Sequence, residues 1–328
     1  MHAGRNYTLK EISAWTRRES ALFLVIAAVP TLLFTLAGWT WLTLPWQPMA
    51  VVGTAVAFIT GFKNNASYGR LWEARQIWGA IINGSRAWAL QVNDYLPNHP
   101  EARQRLLHRH IAWVTALRFQ LREPRKWENM QRSANREYSR LYHVAEWSDK
   151  IDDLLRPVLP AEEFPAVLSR KSRATFLIHL QGRQLAQLHA AGALSERKHI
   201  ELERQLSQFL AEQGKCERIK NFPYPRQFAT LNLLFTWTFV ILVPFGLLPE
   251  FQKMGTGFAW VTIPASVVLS WIFHTMDKIG EVSESPFEGS PNDVPITAMS
   301  RTIEIDLRQA LGETNIPSAT EPENNILM

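Results

Sequence analysis

Cysteine is nearly absent: Cys216 is the only one among 328 residues. One thiol closes no intrachain disulfide and cannot alone supply a cysteine-based zinc site. The chain therefore faces a reducing compartment or needs no staples. Charge is missing from three long stretches. No Asp, Glu, Lys or Arg occurs from Ser20 to Phe62, from Gln227 to Pro249, or from Met254 to Met276. About 20 apolar residues match the thickness of a bilayer core. A purely soluble protein is thus excluded, although mean hydropathy is only −0.13 and 20% of residues are charged. Enzyme signatures are missing as well: no G-x-x-x-x-G-K-[ST], no strand-bound G-x-G-x-x-G, no H-E-x-x-H and no G-x-S-x-G. Thirteen Trp and 17 Phe, by contrast, are too much apolar mass for a disordered or collagen-like chain.

The first uncharged run is long enough to cross a membrane twice. Pro45-Trp46-Gln47-Pro48 interrupts it and reads as an interfacial turn. Span one is expected over 21–44 and span two from Met49 past Phe62. Lys10, Arg17 and Arg18 precede span one as in a signal peptide, but the run is too long for one and no A-x-A site closes it, so the span is expected to stay. Spans three and four fall at about 227–248 and 255–276, joined by Pro249-Glu250-Phe251-Gln252-Lys253.

Basic residues set the expected orientation. Segment 63–226 holds 27 Lys and Arg against 17 Asp and Glu, and the amino end adds Arg5, Lys10, Arg17 and Arg18. The two other loops contain only Lys253. The positive-inside rule then places both termini and the central segment in the cytoplasm. The expected layout is a cytoplasmic segment 1–19, spans one and two within 20–62, a cytoplasmic helical region 63–226, spans three and four within 227–276, and a cytoplasmic tail 277–328.

The central segment has helical periodicity. Leu71-Trp72, Ile77-Trp78, Ile81-Ile82 and Trp88 recur every three to five residues, which continues span two into the cytoplasm. Further amphipathic helices are expected around 100–121, 134–155, 173–192 and 196–213, the last capped by Ser195. The tail carries ten acids against three bases; a helix is expected at 297–311 and disorder after Gly312. No β-period or internal repeat is present, so the fold class is all-α.

Few residues suggest chemistry. His108 and His110 are two apart and cannot share a helix face, which makes them surface histidines rather than metal ligands. His274 lies in span four, one turn from Asp277; it is either a functional polar group or an interfacial one. The basic excess is spread among acids without a clustered run, so nucleic-acid binding is not expected. In span two, Thr54, Phe58 and Phe62 stand at i, i+4 and i+8 and share a face. Spacing alone fits either a lipid-facing or core aromatic stripe or a pore wall that gates by wetting, and a pore requires several subunits.

Several blocks resemble bacterial bestrophins: Gly61-Phe62-Lys63-Asn64-Asn65-Ala66-Ser67-Tyr68-x-Arg70-x-x-Glu73-Ala74-Arg75-x-x-Trp78-Gly79, then Cys216-Glu217-Arg218 before Pro223-x-Pro225. Pro286-Phe287 with Asn292-Asp293-x-Pro295, and Met299-x-Arg301-Thr302-Ile303-Glu304, complete the pattern. The resemblance implies a homopentameric ion channel of the bacterial inner membrane, with four spans per subunit around a central pore, no cofactor, and lipids and inorganic ions as its partners. It places a hydrophobic neck on Thr54, Phe58 and Phe62, with Thr54 departing from the usual apolar residue and expected to wet more easily. It also places a cytoplasmic constriction on Arg197, where an apolar residue is usual. Animal relatives bind calcium after Pro-Phe-Gly. Here only Glu288 and Asp293 remain as carboxylates in that stretch, too few for six to eight oxygens even with Glu281 and Glu284 nearby, and Asn292 and Asp293 are expected to cap the next helix and pin the tail to a neighbouring subunit.

Arg197 in the first turn of a helix would present positive charge to the pore, which favours chloride and other anions. The competing readings are an i,i+4 surface pair with Glu201, a monovalent cation (sodium) channel of the same architecture, and a non-conducting membrane scaffold.

Overall fold

A computed structural model describes residues 1–130 and 133–328 of the chain. Among the described residues the architecture is all-helical, without a strand. The chain divides into two compact units. One comprises Gly4–Arg70 and Pro223–Glu284; the other comprises Met1–Ala3, Leu71–Phe222 and Ser285–Met328.

The first unit contains helices α1 (Leu9–Leu36), the first part of α2 (Trp46–Tyr95), α10 (Arg226–Gln252) and α11 (Thr262–Ser283). Thr8 opens α1 with a capping box: its Oγ1 accepts from the Glu11 amide at 3.2 Å, and its own amide donates to Glu11 Oε2 at 2.6 Å. The helix stops at Leu36, not near residue 44 as expected. Gly38 takes φ +70°, and the Ala37 and Trp39 amides fold back onto the Leu33 carbonyl, both at 3.2 Å. Span two also starts earlier than expected. Pro48 falls in the first turn of α2, where a missing N–H breaks no helical bond, so the helix runs from Trp46. Pro249 is likewise absorbed into α10.

Among the described residues, three stretches are long and apolar enough to cross a membrane: Leu9–Leu36, Arg226–Gln252 and Gly257–Ser283. Helices α1, α10 and α11 pack on one another, and α2 packs Met49 and Val56 against Phe239 and Val243 of α10. Gly53 permits that approach, since a Cβ there would lie 2.8 Å from the Phe239 ring.

The second unit is built on α3 (Pro100–Arg122), which is buried along most of its length. The continuation of α2, together with α8 (Arg173–Ala190), α9 (Glu196–Asn221) and α12 (Ile296–Ala310), completes a core that includes Trp78, Trp88, Trp113 and Phe209. The helix expected over 134–155 is instead four short pieces: α4 (Ser133–Tyr138), a 3₁₀ turn Ser139–Leu141, α5 (Ala145–Ser148) and α6 (Ile151–Leu155); α7 (Phe164–Leu168) follows. Tertiary contacts override the local period here. Tyr142 turns extended, donates to the Gly289 carbonyl at 2.8 Å and buries against Val144, Ile326 and Met328.

The same contacts overturn the expected disorder after Gly312. Glu313 accepts from Arg308 at 2.7 Å, and Ile326 bridges His2 as an isolated antiparallel pair. Met328 accepts from the Ala298 amide at 2.7 Å.

Candidate functional site

The face of α2 that carries Thr54, Phe58 and Phe62 is exposed, and its opposite face is not. Phe58 is 66% and Phe62 60% exposed, against 2% for Val56 and 0% for Ser67. The two rings touch edge to face, with centroids 4.6 Å apart. Rings exposed at this level do not belong to a packed core within the single chain; Val51 on the same helix is 70% exposed as well. Thr54 is exposed on the same face, with its hydroxyl donating to the Ala50 carbonyl at 2.9 Å. That bond commits the hydroxyl proton and leaves only lone pairs to meet water.

The buried face holds groups that sequence reasoning missed. Lys63 and Asp277 are 4% and 2% exposed, and Lys63 Nζ donates to Asp277 Oδ1 at 2.6 Å. The signal was present: these residues are the first charges beyond two uncharged runs. His274 does not pair with Asp277. It packs among rings instead, 5.4 Å from Phe23 and 5.3 Å from Trp237 by centroid.

Arg197 belongs to the second unit, in the first turn of α9. Gly192 takes φ +74° in the turn between α8 and α9, and the Ala193 amide donates to the Leu188 carbonyl at 2.9 Å. His189 and His199 stack across this hairpin at 4.8 Å. Arg197 is exposed and forms no ion pair among the described residues, because Glu201 meets Arg204 instead, at 3.6 Å. Ser195 stands at the N-cap position, but its side chain makes no capping bond.

The histidines of α3 are not surface groups. His110 is fully buried, 2.9 Å from Ser85 Oγ and packed on Trp113 and Phe209 at 4.9 and 4.5 Å. Burial without a charge partner holds its pKa down to about 3. His108 is half-buried, 2.5 Å from Glu313. The alternation of exposed and buried positions fails as a guide on α3 because that helix is covered on several sides.

The acidic stretch after Phe287 forms an internal network. Asp293 accepts from Arg122 at 2.7 Å, from the Gly289 amide at 2.6 Å and from Ser290 at 2.7 Å; it does not cap α12, whose N-cap is Pro295. Glu288 accepts from the Asn129 amide at 2.8 Å, and burial first, then Asp293, pushes its carboxyl well above the usual range. A carboxylate locked to Arg122 and a carboxyl biased toward its neutral form are poor calcium ligands. Among the described residues no cluster of three or more His, Cys, Asp or Glu is arranged to hold a metal.

The family model of bacterial and fungal bestrophin proteins matches residues 12–309. The chain belongs to that family. This bestrophin is 28% identical to the voltage-dependent anion channel-forming protein YneE of Escherichia coli K12, over 98% of this chain and 97% of that protein. It is also 28% identical to the voltage-dependent anion channel-forming protein RSc3414 of Ralstonia nicotianae, over 82% and 78% of the two chains. The crystal structure of a bacterial bestrophin homologue from Klebsiella pneumoniae matches with a TM-score of 0.77 at 25% identity, covering 90% of this chain and 98% of that one. Family and relatives point to a channel in a membrane, not to an enzyme.

Proposed function

We propose that this bestrophin is a homopentameric channel for small monovalent anions, chloride above all. Four helices of each subunit span the bacterial inner membrane, with the uncharged part of α2 as the fourth span and both termini in the cytoplasm. Segment 63–226 and the tail 277–328 form the cytoplasmic part.

One observation carries the reading: a chain of this family exposes Phe58 and Phe62 on α2 while burying the opposite face of that helix. Five copies of the stripe around one axis would make a narrow apolar neck of Thr54, Phe58 and Phe62, which conducts when wetted. The neck carries no charge and cannot by itself choose the sign of the ion. Sign selection is assigned to Arg197. Its guanidinium stays charged at any physiological pH, forms no ion pair among the described residues, and would form a ring of positive charge at the cytoplasmic constriction. The names of the curated relatives support an anion as the cargo. If Arg197 lies outside the pore, a sodium channel of the same architecture becomes the reading.

Purified protein in liposomes tests the proposal. Chloride efflux under a salt gradient is expected, and absence of any ion flux would favour the non-conducting scaffold.

A further inference from the structure

We propose that a buried polar ladder on the back of α2 is a positioning element: it sets the rotation of α2 about its own axis and so aims Phe58 and Phe62. This rests on the neck reading above. The ladder is continuous across three helices. Thr60 Oγ1 donates to Asn232 Oδ1 at 3.1 Å, Asn232 Nδ2 donates to Asp277 Oδ1 at 2.5 Å, and Lys63 Nζ donates to the same oxygen at 2.6 Å. Lys63 Nζ also reaches the Asp277 carbonyl at 3.3 Å, and Asn64 Nδ2 donates to the Met276 carbonyl at 3.0 Å. Thr60, Lys63, Asn232 and Asp277 are each 4% exposed or less.

Stability alone does not account for such a cluster. A buried ion pair repays its desolvation poorly, and apolar residues of similar volume usually serve as well. Rotational register is a different matter. The apolar part of α2 meets its neighbours through Met49, Val52 and Val56, side chains that pack acceptably over a range of rotations, and a membrane supplies no hydrophobic force to choose among them. Hydrogen bonds are directional and lose their worth when misaligned.

The ladder also fixes itself. Asn232 accepts from Thr60 with one terminal atom and donates to Asp277 with the other, so its amide has one useful orientation. Gly280 completes the seat, because a Cβ there would lie 2.1 Å from Asn64 Oδ1.

The coupling to the neck follows from sequence adjacency. Lys63 directly follows Phe62 and lies about 100° round the helix from it. Turning α2 enough to break the Lys63–Asp277 bond would therefore swing Phe62 off the pore axis. The pair also neutralises Lys63, so that this cation adds no free charge beside the neck. Lys63, Asp277, Thr60 and Asn232 are accordingly positioning residues, acting on the ion path only through the rings.

The test is a double-mutant cycle in liposomes, with assembly followed by light scattering. Asp277→Asn and Lys63→Met are each combined with the natural neck and with Phe58→Ala/Phe62→Ala. In the natural neck, each should change unitary conductance or open fraction several-fold while the oligomer persists. The change should vanish once the rings are gone. Equal changes in both backgrounds would show that the ladder is only structural and overturn the proposal. Phe58→Ala/Phe62→Ala leaving the current unaltered would instead sink the neck reading itself, and the ladder's role with it.

Thr60→Val, which removes one hydroxyl at nearly constant volume, guards against variants that fail to fold. In a Phe62→Cys background it should alter the rate of thiol labelling from the aqueous side. The native Cys216 is fully buried and its thiol pKa is pushed up by that burial, which keeps it silent. An unchanged labelling rate in the assembled protein would overturn the proposal.

Discussion

Replacing both neck phenylalanines with alanine separates a pore wall from a packing stripe. A fully buried Phe→Ala change costs about 3–5 kcal/mol in lost burial and cavity. Phe58 and Phe62 keep only about a third to two fifths of their surface buried, being 66% and 60% exposed. Scaling the cost by that share gives about 1–2 kcal/mol for each residue. Part of it is the mutual edge-to-face contact, which such pairs value at about 0.5–1.5 kcal/mol and which disappears once. The expected total is a modest fall in melting temperature with the oligomer intact. The neck, meanwhile, loses two rings per subunit, widens and wets, so unitary conductance should rise. The assay pairs thermal unfolding in detergent with single-channel recording in planar bilayers. Disassembly with unchanged current in the surviving channels would refute the reasoning, because the rings would then be packing residues and the ion path would lie elsewhere.

Arg197→Glu should move the reversal potential in a salt gradient toward the cation equilibrium, and no shift would remove Arg197 from the pore. Acid should destabilise the second unit through His110, whose imidazole stays neutral when folded down to about pH 3 but protonates near 6.5 when unfolded. The unfolded chain binds the extra proton in that window, so stability falls by about 1.4 kcal/mol per unit as pH drops through it. His110→Gln should flatten that slope in melting curves, and an unchanged slope would contradict the assignment. Chelating calcium should leave the current intact, since Asp293 is held by Arg122; a current abolished by chelator and restored by micromolar calcium would show ligands that the acidic stretch does not supply.

Helix bounds marked by prolines and glycines were legible in the sequence. The expectations for α3, α8 and α12 match the observed bounds within about two residues, because each is bounded by a proline, a glycine or both, and α8 and α12 also repeat their apolar positions near 3.6. The run from Leu71 to Trp88 likewise continues α2, as its period implied. Failures came where another element decides. Gly38 ends α1 through a left-handed turn inside an unbroken apolar run, so charge counting overshot it. Residues 134–155 read as one helix, yet Tyr142 and Val144 are drawn into a cluster with Ile326 and Met328, far along the chain. The spacing of His110 is that of a surface histidine, and its burial is invisible in the sequence because its partners, Ser85 and Phe209, lie on other helices.

The candidate site divides in the same way. The shared face of Thr54, Phe58 and Phe62 follows from i, i+4, i+8 spacing, but its exposure does not. The Lys63–Asp277–Asn232 connection joins residues more than forty positions apart at its nearest and could not be read from spacing. The capping box Thr8-x-x-Glu11 was legible and would have set the start of α1 at Leu9.

The most direct test of the central claim is the reversal potential of the wild-type protein in asymmetric KCl. An anion channel places it near the chloride equilibrium potential. A value near the potassium equilibrium potential would contradict the account.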